Sequence, residues 1–206
     1  MIYDISPPIS PSLAVWPGDT PPSREVLLDL ARGDSVTLST LRATVHLGSH
    51  VDAPSHYGRD GRTIEAQPVE RYIGPCEVMR VPVARGATVT PGLLPRPPRE
   101  PRLLLSTGTY PDTERFNEDF AALSAELIDQ LHTAGVRLIG VDTPSVDLFS
   151  SKELPAHGRC LAHDMAILEG LVLDAVPEGR YELIALPLKL VGFDASPVRA
   201  VLRSLR

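Results

Sequence analysis

Apolar positions along the chain fall into short runs, most of them bordered by proline or glycine. EVLLDL (25–30), VTLSTLRATVH (36–46), EVMRVPV (77–83), RLLLST (102–107), VRLIGVDT (136–143) and YELIALPLKL (181–190) are alternating or β-branched, which predicts strands. Helical periodicity is rarer. It is clearest in SAELIDQLHTAG, where Ser124 is placed to cap, Leu127, Ile128 and Leu131 share a face, and Gly135 ends the helix. A second helix is predicted within 158–168 and a short one over ASPVRAVLRSL (195–205). The order from RLLLST through the helix to VRLIGVDT predicts a strand–helix–strand unit. No internal repeat, coiled-coil heptad or low-complexity segment interrupts this pattern. The expected architecture is mixed α/β with more sheet than helix.

Composition bounds the setting. At 206 residues the chain is expected to form one domain over 1–206, large enough to bury roughly 70% of its unfolded surface. Its 21 prolines are about twice average usage and are spread along the chain, as suits many short strands and turns. Cys76 and Cys160 are too few for a secreted disulfide framework, so a reduced, cytoplasmic location is expected. The opening MIYDISPPIS lacks the basic and apolar regions of a signal peptide. No run approaches the ~20 apolar residues of a membrane span. A net charge of −6 and a pI near 5.5 argue against a nucleic-acid partner. The basic RPPREPR (96–102) is short and proline-broken, and reads as surface loop.

The chemistry concentrates in HLGSHVDAPSHY (46–57), which holds three of the six histidines. His46, His50, Asp52 and His56 occupy even positions, so an extended chain would turn all four to one side. A straight strand would hold the His46 and His50 backbones roughly 13 Å apart, and Gly48 offers a bend that shortens this. A strand kinked at Gly48–Ser49 and a loop from Ala53 onward are therefore expected. Two imidazoles and a carboxylate suit a borderline divalent ion such as Zn²⁺ or Mn²⁺, and a carboxylate can bridge two. Further ligands are sought in LPAHGRCLAHDMAILEG (154–170), among His157, Cys160, His163, Asp164 and Glu169. Spacing does not choose among them. His157, Cys160 and His163 have the outline of a zinc knot without its usual cysteine pairs. His132, on the helix 124–134, reads as a surface residue. His56 could be a third ligand, a general base or a turn residue.

HLGSHVDAPSH resembles the HxGTHxDxPxH signature of the cyclase-like metal-dependent hydrolases, with Ser49 in the threonine position. DISPPIS and VWPGDTP near the start, GTYP (108–111), GVDTPSVD (140–147), AILEGLVLD (166–174), and YELIALPLKL with DASPVRAVLR near the end resemble the family's bacterial kynurenine formamidase branch. The resemblance implies a single-domain, three-layer β/β/α fold of the swivelling type with a mixed sheet, usually dimeric. It implies two divalent ions, zinc or manganese: His46, His50 and Asp52 would bind the first, with Asp52 bridging to the second. His157 and Glu169 would complete the set, Glu169 touching both ions. His56 would carry the proton, and Trp16 would pack on the substrate. Cys160 and His163 match no ligand and return to structural status. The expected reaction is hydrolysis of N-formyl-L-kynurenine to L-kynurenine and formate, in tryptophan breakdown. Opening of an isatin-like ring by the same site, or a metal-binding protein without catalysis, are the alternatives.

Overall fold

The structure, a computed structural model, describes residues 1–205. The strands are β1 (Ile2–Asp4), β2 (Ser23–Leu28), β3 (Leu38–Arg42), β4 (His50–Asp52), β5 (Ile73–Arg80), β6 (Thr88–Val89), β7 (Arg102–Ser106), β8 (Ala122–Leu123), β9 (Leu138–Val141), β10 (Ala166–Glu169), β11 (Gly179–Ile184), β12 (Ala195–Pro197) and β13 (Val201–Ser204). The α-helices are α1 (Pro54–Tyr57), α2 (Ala125–Thr133) and α3 (Pro155–Ala162). Nine strands form one mixed sheet in the order β1-β13-β11-β5-β7-β9-β10-β4-β12. Its centre, β5-β7-β9-β10, is parallel, and the flanking pairs are antiparallel.

The central strands read as continuous apolar runs because both sheet faces are covered. On one face the sheet curls over itself. Val51 of β4, Cys76 and Val78 of β5, Leu168 of β10, Leu183 of β11 and Leu202 of β13 share one buried cluster there. On the other face, Leu103, Leu105, Ile139 and Ile167 pack against Leu127, Ile128 and Leu131 of α2 and against Ala156 and Cys160 of α3. This is the expected α/β arrangement of a curled mixed sheet with few helices. The β7-α2-β9 unit forms as the pattern predicts: the Ser124 side chain accepts from Leu127 N at 3.0 Å, and Gly135 sits at φ 95° just past the helix. Both cysteines are buried and free.

The strand expected over 181–190 stops at Ile184, and three further expectations fail, each for a physical reason. The segment 195–205 is two strands. Pro197 has no N–H for a helix interior, and β13 gains partners on both sides, β1 and β11. The loop expected after Ala53 begins with α1, because Pro54 occupies the first helical position, where its missing N–H costs nothing. The strand expected over 36–46 stops at Arg42, so His46 lies on a turn and only His50 and Asp52 share a strand face.

Candidate metal centre

Strand register builds the floor of the site. His50 and Asp52 point to one side of β4 because they are two residues apart, and Glu169 of β10 stands directly opposite His50. The His50 Nε2–Glu169 Oε2 distance is 3.3 Å. Gly48, at φ 54°, reverses the chain before β4 and brings His46 Nδ1 to 3.2 Å from Asp52 Oδ1. His157 reaches in from α3, its Nε2 3.4 Å from Asp52 Oδ2 and 3.8 Å from Glu169 Oε1. His56 lies on α1 with its ring centroid 4.2 Å from that of His46. The structure thus gathers His46, His50, Asp52, His56, His157 and Glu169, drawn from a turn, two strands and two helices. The parity argument holds only for His50 and Asp52.

Asp52 decides what this cluster can hold. It is buried, and neither carboxylate oxygen has a hydrogen-bond donor. The imidazole nitrogens of His46, His157 and His50 stand 3.2, 3.4 and 3.6 Å away, close but not aligned to donate. A buried carboxylate without a donor is costly unless a cation meets it. Imidazole nitrogens and carboxylates converging on one place fit a divalent ion, and the residues present therefore fit the expected group. Ligand atoms of His46, Asp52 and His56 lie within 4.8 Å of one another, as do those of His50, Asp52 and Glu169. Both triads share Asp52. This grouping differs from the one the resemblance implies, which placed His46 and His50 together.

The electrostatics favour positive charge among these groups. Burial alone would lower the His46 imidazole, but Asp52, with Asp194 and Glu169, raises it to about 9. Burial is likewise overcome at His157, where Asp147 and Asp52 raise the ring to about 10. Burial would raise Asp52, yet His157 and His46 hold it well below the usual carboxylate range. His56 differs: burial lowers it despite Asp52.

Partner acids fix the rings. Asp147 Oδ2 accepts from His157 Nδ1 at 2.7 Å, leaving Nε2 for the cluster. Asp194 Oδ2 lies 3.1 Å from His46 Nε2. His50 Nδ1 donates to Gly48 O at 2.9 Å. Neither acid was singled out in the sequence, although both fall within quoted segments, GVDTPSVD and DASPVRAVLR. An acid that serves an imidazole from another element leaves no local spacing.

Above the cluster opens a cavity of about 510 Å³. Trp16 lines it with Tyr110 and Phe116, its indole edge-on to Phe116 at 5.5 Å and tilted against Phe149 at 5.0 Å. Tyr110 and Phe116 are further residues that sequence reasoning missed. No Lys or Arg lines the cavity among the described residues. Cys160 sits in the helix-side core, and His163 binds Asp129 and stacks on His132. No zinc knot assembles from them.

The fold and site define a class: a curled mixed sheet that presents histidines and carboxylates at the floor of an aromatic cavity. The chain belongs to the Cyclase family, whose family model matches residues 3–148. Solved structures agree along nearly the whole chain. One, described as a potential metal-dependent hydrolase with cyclase activity, is 28% identical with a TM-score of 0.84, covering 98% of this chain and 96% of its own. A second, described as a predicted metal-dependent hydrolase from Bacillus stearothermophilus, is 29% identical with a TM-score of 0.81, covering 98% and 97%. Isatin hydrolase A from Labrenzia aggregata shares the fold at 23% identity, with a TM-score of 0.80 and coverage of 98% and 93%.

Proposed function

We propose that this Cyclase-family protein is a metal-dependent hydrolase that converts N-formyl-L-kynurenine to L-kynurenine and formate. The observation that carries the reading is Asp52, donorless and shared by two ligand triads beneath an aromatic wall. Two relatives described as metal-dependent hydrolases support the reaction class. We place two divalent ions at the site, zinc or manganese, and a homodimer in the cytoplasm. No helix among the described residues is long and apolar enough to cross a membrane.

His46, His50, Asp52, His157 and Glu169 would hold the ions. Divalent ions there would lower the pKa of a water and offer Lewis acidity to a carbonyl oxygen. The chain's own groups supply the rest. Trp16, Tyr110 and Phe116 take the aniline ring and leave the formyl group over the floor. His56, kept neutral near pH 7 by its lowered pKa, accepts the proton of the attacking water. It returns that proton to the aniline nitrogen as the C–N bond breaks. Asp147 and Asp194 hold the ligand rings in the tautomers that face the floor. With no Lys or Arg lining the cavity among the described residues, the positive charge that meets the substrate is confined to the floor.

The fold shared with isatin hydrolase A favours one second reading, hydrolysis of an isatin-like cyclic amide by the same groups. One assay separates the readings: loss of N-formylkynurenine absorbance and of isatin absorbance, before and after chelation and after zinc or manganese is restored. Formamidase activity that disappears on chelation and returns with metal is expected. Chelator-insensitive turnover would sink the metal mechanism, and turnover of isatin alone would transfer the function to the second reading. Stoichiometric metal with neither activity would leave a binding protein.

A further inference from the structure

Asp194 meets the site from the bend just before β12. Its carboxylate Oδ2 accepts from His46 Nε2 at 3.1 Å and lies 3.5 Å from His56 Nδ1. Its backbone carbonyl accepts from Ala53 N at 2.8 Å, at the joint between β4 and α1. The next residue, Ala195, pairs with Asp52 across the sheet. Asp194 therefore touches the strand that carries His50 and Asp52, the turn that carries His46 and the helix that carries His56. Its side chain is 48% exposed, so core packing does not account for this placement.

We propose that Asp194 is a positioning residue that couples a metal ligand to the proton carrier. Accepting the Nε2 hydrogen of His46 leaves the Nδ1 lone pair turned toward Asp52, where a cation is wanted. The same oxygen faces His56, at a distance too long for a firm hydrogen bond but short enough to orient the ring. One carboxylate thus sets the tautomer of a ligand and the aim of a base. The inference rests on the metal-hydrolase reading, and its consequences divide accordingly: the His46 contact governs metal affinity and the His56 contact governs turnover. Asp194 is not one of the aromatic residues proposed to hold the substrate ring, so its loss is expected to change substrate affinity little.

The test compares full-length wild type, Asp194→Asn and Asp194→Ala, each stripped by chelation and titrated with zinc against a competing chelator. Asp194→Ala should weaken the tighter-affected zinc site by roughly 10- to 100-fold, lower kcat with KM little changed, and leave the melting temperature of the stripped protein near wild type. Asp194→Asn, whose amide oxygen still accepts the Nε2 hydrogen, should recover most of the zinc affinity. Wild-type zinc affinity in Asp194→Ala would overturn the proposal. So would equal losses in both variants accompanied by a fall in melting temperature, since that pattern marks a structural role. If wild type itself bound no zinc, the metal-hydrolase reading would fail first, and the comparison would show which of the two had failed.

Discussion

Gly170 shows how tightly single residues shape the centre. It follows Glu169 at φ 66°, and an added Cβ would lie 2.2 Å from Gly48 O. Ser49 Oγ donates to Gly170 O at 2.8 Å across the same approach. Gly170→Ala must therefore strain its own backbone and push away the segment between His46 and His50. A loss of about 1–3 kcal/mol is expected, read by thermal denaturation together with reduced zinc stoichiometry. Normal stability and full zinc loading would refute the close-approach account. His56 is decided differently, because it lies within reach of both His46 and Asp52 yet carries a lowered pKa. If it is the proton carrier, His56→Ala keeps its metal and loses about 10²- to 10⁴-fold in turnover. Parallel loss of metal content would make it a ligand.

At the scale of elements, α3 depends on an acid outside itself. Leu154 precedes the helix in a left-handed conformation, φ 46°, and gives no side-chain cap. Asp147 substitutes, accepting from Ala156 N and His157 N, both at 3.0 Å, as well as from the His157 ring. Asp147→Ala removes a cap worth about 1–2 kcal/mol and frees a ligand ring, so melting temperature and zinc affinity should fall together. A variant that lost neither would show that α3 positions His157 unaided. Such dependence explains what could be read from the chain beforehand. Helix α2 was legible because its cap, apolar face and terminal glycine are all local. The HLGSHVDAPSH stretch announced a metal site because its ligand types are adjacent. The segment 195–205 was misread because its helical pattern yields to sheet partners distant in sequence, β4 for β12 and β1 for β13. Asp147 and Asp194 stayed hidden because their roles exist only across elements, and Trp16 gained its aromatic neighbours only when Phe116, Phe120 and Phe149 folded beside it.

Two properties belong to the whole molecule. The first is proton linkage: His46 and His157 are raised to about 9 and about 10 without metal, against about 6.5 in an unfolded chain. Their protonated forms stabilise the metal-free fold fully below pH 6.5, and that contribution is lost as pH rises through 9 to 10. Metal displaces the same protons, so its affinity rises over the same range. The melting-temperature gap between zinc-loaded and stripped protein should widen from pH 6.5 to 9, and a narrowing gap would contradict the shared histidines. The second is assembly. Every residue of strands β2 and β3 is exposed, including Val26, Leu27, Leu28, Leu38 and Leu41. A lone two-stranded ribbon is marginal in water, and an apolar one of this kind is a contact surface wanting a partner. The proposed homodimer would supply it if a second copy of the chain covered the ribbon. Leu27→Ser combined with Leu41→Ser removes apolar surface that the isolated subunit does not bury. Sedimentation should then move from dimer to monomer while the subunit's zinc binding persists. A wild type that sediments as a monomer at all concentrations would remove the dimer, and a double variant that stays dimeric would place the interface elsewhere than on the hairpin.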